Sequence, residues 1–119
     1  MQTIRGKVPS KSNCYKVITI RGHGSLGKTK ALVEYERSFY LQCGEYRGRR
    51  IKGLFALRLR VFHDSNRPDL DNALKIILDC LQSCGAVTND RNCVRIEAEK
   101  FIDKADPRIE FEIEPVGVG

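Results

Sequence analysis

"RPDLDNALKIILDCLQSCG", Arg67 to Gly85, is the stretch from which the fold is read. Leu70, Leu74, Ile77, Leu78, Leu81 and Cys84 recur at the spacing of one face of an amphipathic helix. Pro68 biases Arg67 towards extended backbone and so marks the start, while Gly85 supplies the stop. Asp69 and Asp71 flank Leu70 at that start, where the helix dipole favours anions. Lys75 lies one turn after Asp71, and Asp79 one turn after Lys75. An Asp N-cap with an Asp-Lys-Asp ladder is also ordinary helix stabilisation, so the carboxylates alone carry two readings.

Upstream, "LFALRLRVFH" places Phe55, Leu57, Leu59 and Val61 on one strand face and Arg58 and Arg60 on the other, which suits a DNA groove or simply a solvated sheet. Before it lies a basic, glycine-containing loop, Gly44 to Gly53, and before that "KTKALVEYERSFYLQC". There Ala31, Val33, Tyr35, Phe39 and Leu41 mix with charges in a pattern nearer helix than strand. Gln2 to Val8 and Tyr15 to Arg21 read as strands, with Gly22 to Gly27 a loop after them. Downstream, "CVRIEAEKF" and "RIEFEIEP" alternate around "DKADP" as a terminal antiparallel hairpin. The expectation is an α+β fold in one domain over residues 1–119, ordered ββαβαββ, with a mixed β-sheet of about five strands and both helices packed on one face.

At 119 residues and 41% hydrophobic content, the chain suits one core. No run approaches a membrane span, and "MQTIRGKVPSK" has no apolar centre of the secretion-signal kind, so a soluble, cytoplasmic protein is expected, with no membrane partner. Five cysteines without a C-x-x-C pair read as reduced, buried thiols and are assigned no chemistry. The net charge of +6 is unevenly spread. Residues 1–67 hold 15 Lys and Arg against 4 Asp and Glu, and residues 68–119 hold 6 against 11. A basic front half suits a polyanion, and an acidic back half suits chemistry performed on it.

"GHGSLGKT", Gly22 to Thr29, matches the phosphate-loop pattern, in which backbone N–H groups cradle a β-phosphate at a helix N-terminus. A strand before it and a helix after it fit. The wider context does not, because such folds need a parallel sheet of repeated strand-helix units and a second strand ending in an Asp. In the milder reading, Lys28 and Lys30 meet the phosphates of another polyanion.

The helix-stabilisation reading leaves "TNDRN" unexplained. About fifteen helical residues and about six extended ones both span roughly 20 Å, so Asp90 is expected back at the helix start as a third carboxylate. Three carboxylates without His or Cys form the hard-oxygen environment that Mg²⁺ prefers. On a basic domain this points to metal-assisted attack of water on a phosphodiester, with Lys75 neutralising the phosphate or orienting the water.

These residues resemble the RusA-type Holliday junction resolvases, small phage- and prophage-associated endonucleases of DNA recombination and repair. The likeness runs from "VPSKSN" through "RPDLDNALKIILDCL" to "NDRNCVRIEAEKF" and the last strands. It implies that Asp69, Asp71 and Asp90 are metal-binding catalytic acids and Lys75 the assisting base or phosphate partner. It also implies a homodimer that nicks opposing strands of a four-way DNA junction symmetrically, with Mg²⁺ as cofactor and Mn²⁺ a possible substitute. The family often has two adjacent acids where this chain has Asn89 and then Asp90. From charge, Lys11, Lys28, Lys30, Arg49, Arg50 and Arg67 are the expected DNA contacts. A small P-loop nucleotide-binding protein and a non-catalytic basic DNA-binding module stand as alternatives.

Overall fold

The computed structural model describes residues 1–10, 14–20 and 22–117. Its strands are β1 (Gln2–Arg5), β2 (Tyr15–Ile20), β3 (His23–Lys28), β4 (Phe55–His63), β5 (Cys93–Ile102) and β6 (Arg108–Pro115). Its helices are α1 (Lys30–Gln42), between β3 and β4, and α2 (Leu70–Ser83), between β4 and β5. Four strands form one mixed sheet in the order β1-β6-β4-β5, and β2 and β3 form a separate two-stranded sheet. The fold is α+β, as expected, but the order is βββαβαββ.

The extra strand is the glycine segment expected to be a loop. β3 pairs antiparallel with β2 from Ile20↔His23 to Tyr15↔Lys28, and Gly22 closes the turn at φ 81°. Glycines interspersed with one leucine give β3 no alternation to read, so only its pairing with β2 makes it a strand. The phosphate-loop match is corrected accordingly: its backbone is extended and laddered, and no loop remains to curl around a phosphate. Thr29, the Thr of that match, is the N-cap of α1, its hydroxyl accepting from Leu32 N at 3.3 Å. Val17 and Leu26, opposite one another in the hairpin, are 75% and 73% exposed.

The expected terminal hairpin is also corrected, because β5 and β6 do not pair. β4 lies between them, parallel to β5 (Leu57↔Ile96) and antiparallel to β6 (Leu57↔Ile113). α2 is the crossover that parallel pairing of β4 and β5 requires. The "DKADP" link then steps across the end of β4, where Asp103 N donates to His63 O at 2.7 Å.

Both helices cover one face of the sheet. Leu57, Leu59 and Val61 of β4 and Ile109, Phe111 and Ile113 of β6 are buried beneath them. Phe39 of α1 stacks on Phe111 with centroids 5.7 Å apart. α1 buries Leu32, Tyr35 and Phe39, leaving Val33 and Leu41 exposed, so the face differs from the one expected. α2 buries Ala73, Ile76, Ile77, Cys80 and Leu81, with Leu70, Leu74 and Leu78 half-buried along one side. Gly85 takes φ 76°, and a Cβ there would stand 3.6 Å from the backbone of Gly48, so a close loop approach and the helix stop coincide.

The other face of the sheet is open and charge-balanced. Arg58 pairs with Glu97 at 3.0 Å, Arg60 with Glu110 at 4.0 Å and Arg95 with Glu114 at 3.8 Å. Of the two readings of Arg58 and Arg60, this is the solvated sheet and not a basic groove wall. Four cysteines are buried and Cys93 is half-buried, all five as free thiols.

Candidate active site

The sequence turns from β4 into α2 through Asp64–Pro68, and Asp69 follows in extended backbone (φ −84°, ψ 145°) as the N-cap. Its carboxylate makes no capping hydrogen bond. Asp71, within the first turn of the helix, accepts from Asn72 N at 2.9 Å. Both acids are exposed at the positive end of α2, and the fold does not consume Asp69 in the role that the helix-stabilisation reading gave it.

That helix end is held from two sides. Asn72 Nδ2 donates to Pro9 O at 3.2 Å, and Lys100 Nζ, from the far end of β5, donates to Pro68 O at 3.1 Å and Asn66 O at 3.4 Å. Lys7 and Asp64 form an ion pair at 3.0 Å nearby. His63 is 1% exposed with neither ring nitrogen partnered. Burial, reinforced by Lys100 and Lys7 against the opposing charge of Asp64, holds its imidazole below the usual pKa and therefore neutral. Arg67 is exposed just before Pro68, and Lys75 one turn into the helix.

Asp90 is elsewhere. It opens a single 3-10 turn, Asp90–Asn92, that Asn89 caps by accepting from Arg91 N at 3.0 Å. Asp90 N donates to Gln82 Oε1 at 2.9 Å, in the last turn of α2. Eleven helical residues separate Asp71 from Gln82, about 16 Å of rise. The expectation that the return segment carries Asp90 back to the helix start is therefore corrected within one chain. Residues 85–88 run instead beside the Gly48–Ile51 loop, with Arg50 N on Gly85 O at 2.8 Å and Ile51 N on Ala86 O at 2.9 Å. The return distance is covered by β5 itself, so the residue that arrives at the helix start is Lys100. Among the described residues, no three His, Cys, Asp or Glu converge to hold a metal ion.

Asp90 belongs to an open cleft of about 300 Å³ lined by Lys28, Asp79, Gln82, Ser83, Asn89 and Asp90. Although Asp79 is exposed overall, partial desolvation of its carboxyl, then Asp90 facing it, raises its pKa, with Lys75 and Lys28 pulling the other way. Lys28 is tied to Glu36 at 2.9 Å, and that hydrogen bond raises its pKa. Lys30 lies 3.8 Å from Glu34. Arg49 covers the Tyr46 ring, its guanidinium carbon 5.3 Å from the centroid, and Arg50 holds the unusual φ of 49°. Lys11 lies outside the described residues.

Sequence reasoning misses Lys100, Asn72 and Gln82. Lys100 alone has a signal, since it occupies the inward register of Val94, Ile96 and Ala98 where the alternation calls for an apolar side chain. No helix among the described residues is long and apolar enough to cross a membrane.

Among curated proteins none matches the chain. The family model described as "Endodeoxyribonuclease RusA" matches residues 28–114, from the last residue of β3 through most of β6, and thus takes in both helices, the acidic pair and Asp90. The chain belongs to the RusA endodeoxyribonuclease family.

Proposed function

We propose that the protein is a Mg²⁺-dependent, homodimeric endodeoxyribonuclease that resolves four-way DNA junctions by paired, symmetric nicks. The observation that carries this reading is the pair of exposed carboxylates at the start of α2, with Asp69 free of any capping bond and the Lys100 ammonium 3.1 Å from the carbonyl of Pro68, the residue before it. Hard oxygen donors of this kind suit Mg²⁺, with Mn²⁺ as a substitute. Asp69, Asp71 and Asp90 would hold the ion, which when bound supplies charge stabilisation at the phosphodiester and a more acidic water. Lys75 places a positive charge one turn from the pair, suited to the extra negative charge of the pentacoordinate phosphate.

One chain supplies only part of that set, and this favours the dimer. β5 is an edge strand, and on its helix side Val94, Ile96 and Ile102 are 53%, 42% and 53% exposed. An unpaired apolar edge of this length is a template for another strand. Antiparallel pairing of β5 with its copy about a twofold axis sets the start of one strand against the end of the other. The partner's Asp90 then approaches the α2 start of this chain, where Lys100 already reaches. The same operation joins two cationic borders, Arg67 and Lys75 from one chain with Lys28, Arg49 and Arg50 from the other.

The test is incubation of the purified protein with synthetic four-way and linear duplex DNA, in Mg²⁺ or EDTA. The reading expects symmetric nicks in the junction in Mg²⁺ only. Junction binding without cleavage under every divalent metal tried would reduce the protein to a basic DNA-binding module.

A further inference from the structure

We propose that Lys100 is a positioning residue for the acidic pair, fixing the approach to α2 so that Asp69 and Asp71 present their carboxylates together. The proposal rests on the reading of those two acids as metal-holding. Lys100 comes from β5, a strand separated in sequence from the Asp64–Pro68 turn, and half-buries its stem on the helix side of the sheet. Its ammonium donates to two carbonyls, Asn66 O at 3.4 Å and Pro68 O at 3.1 Å. Pro68 is bonded to Asp69, so the second of these hydrogen bonds lies one peptide from the N-cap.

The turn has few other restraints on this side. Beyond the Lys7–Asp64 ion pair at its start, 3.0 Å, its described side-chain bond is the weak one from Arg67 N to Ser65 Oγ at 3.4 Å. Pro68 has no N–H to donate, and neither Asp69 nor Asn66 has a described side-chain bond to the body of the protein. Asn72 pins the first turn of α2 to Pro9, downstream of the pair, and Lys100 pins it upstream. Two like-charged carboxylates two residues apart repel, and an extended backbone left unpinned would let them swing apart. An ammonium donates to both carbonyls at once, which a neutral aliphatic side chain at this position cannot do. Val94, Ile96 and Ala98 share its register on the strand, so the half-buried Lys100 stands where the alternation calls for an apolar side chain, with its ammonium turned to the two carbonyls.

The proposal is tested with Lys100→Met, which keeps the stem and removes the charge and donors, and Lys100→Arg, which keeps both. Four readouts are taken: Mn²⁺ binding by electron paramagnetic resonance titration, amide hydrogen exchange over residues 66–72, junction affinity in EDTA, and junction cleavage in Mg²⁺. Lys100→Met is expected to weaken Mn²⁺ binding about 10-fold or more, the usual effect of removing a group that orients metal ligands. Exchange over 66–72 should rise with it, junction affinity in EDTA should stay within about twofold, and Lys100→Arg should restore most of both properties. Unchanged Mn²⁺ affinity and exchange in a folded Lys100→Met protein would overturn the positioning role while leaving the endonuclease reading intact. Junction affinity in EDTA falling as far as cleavage does would overturn it too, by making Lys100 a phosphate contact. A wild-type protein that binds no Mn²⁺ and cuts no junction would overturn the endonuclease reading and the role of Lys100 together.

Discussion

At the α2 start a single atom separates two accounts of Asp71. Asp71→Asn keeps an acceptor for Asn72 N but loses the charge, so cleavage in Mg²⁺ should be abolished. Junction affinity should hold or rise, because a repulsive charge beside the phosphates has gone. Lys28→Ala, by contrast, removes a lysine already tied to Glu36 and should weaken binding by no more than about 1 kcal/mol, as for other solvated ion pairs, with cutting of bound DNA intact. Gel-shift and nicking assays on the two variants check this, and cleavage abolished only in Lys28→Ala would reverse the assignment. His63 makes a different prediction. Its folded pKa is lowered, so its contribution is fully present above the unfolded value of about 6.5 and is lost as pH falls through that value towards the folded one. Stability should decline below a pH of about 6.5 by at most about 1.4 kcal/mol per pH unit. His63→Leu, which removes two unpartnered ring nitrogens, should flatten that decline in urea melts between about pH 5 and about pH 7.5.

Elements show where sequence patterning is decisive and where it is silent. α2 is legible because its apolar spacing, its proline and its glycine all agree, and β4 because Leu57, Leu59 and Val61 alternate cleanly with arginines. β3 is not, since glycines carry no face, and its ladder with β2 depends on pairing that no local pattern encodes. The expectation of a β5–β6 hairpin fails for a related reason: alternation tells which face a strand buries but not which neighbour it takes, and the parallel partner of β5 lies across α2. The candidate site divides in the same way. Asp69 and Asp71 are local to one helix start and are readable together. The position of Asp90 depends on how residues 85–89 pack against the Gly48–Ile51 loop, and Lys100 acts through a hydrogen bond to a residue 32 positions distant in sequence. The α1 start offers a check at this scale. Thr29→Ala should cost about 1 kcal/mol of stability by removing an N-cap, and should leave the metal dependence of cleavage unchanged, as a phosphate-loop threonine could not. Chemical denaturation and a Mg²⁺ titration of nicking together measure both.

For the molecule as a whole, charge is used differently on its several surfaces. The open sheet face pairs its arginines with glutamates, whereas Arg49 and Arg50 border the Asp90 end of α2 and Arg67 the acidic pair. Replacing Lys28, Lys30, Arg49 and Arg50 together with alanine should reduce the salt dependence of junction binding, by about one unit of slope for each phosphate no longer neutralised. An unchanged slope would remove these four residues from the DNA interface. The central claim is that two chains together build each active site. It is tested by mixing Asp71→Asn protein with Asp90→Asn protein, each inactive alone, after subunit exchange. In a mixed dimer one site then combines two wild-type halves, so nicking should return to about a quarter of the wild-type site count, as single rather than paired cuts. If Asp69, Asp71 and Asp90 instead act within one chain, every site in the mixture carries a defect, and a mixture that stays inactive despite demonstrated exchange would contradict the shared site.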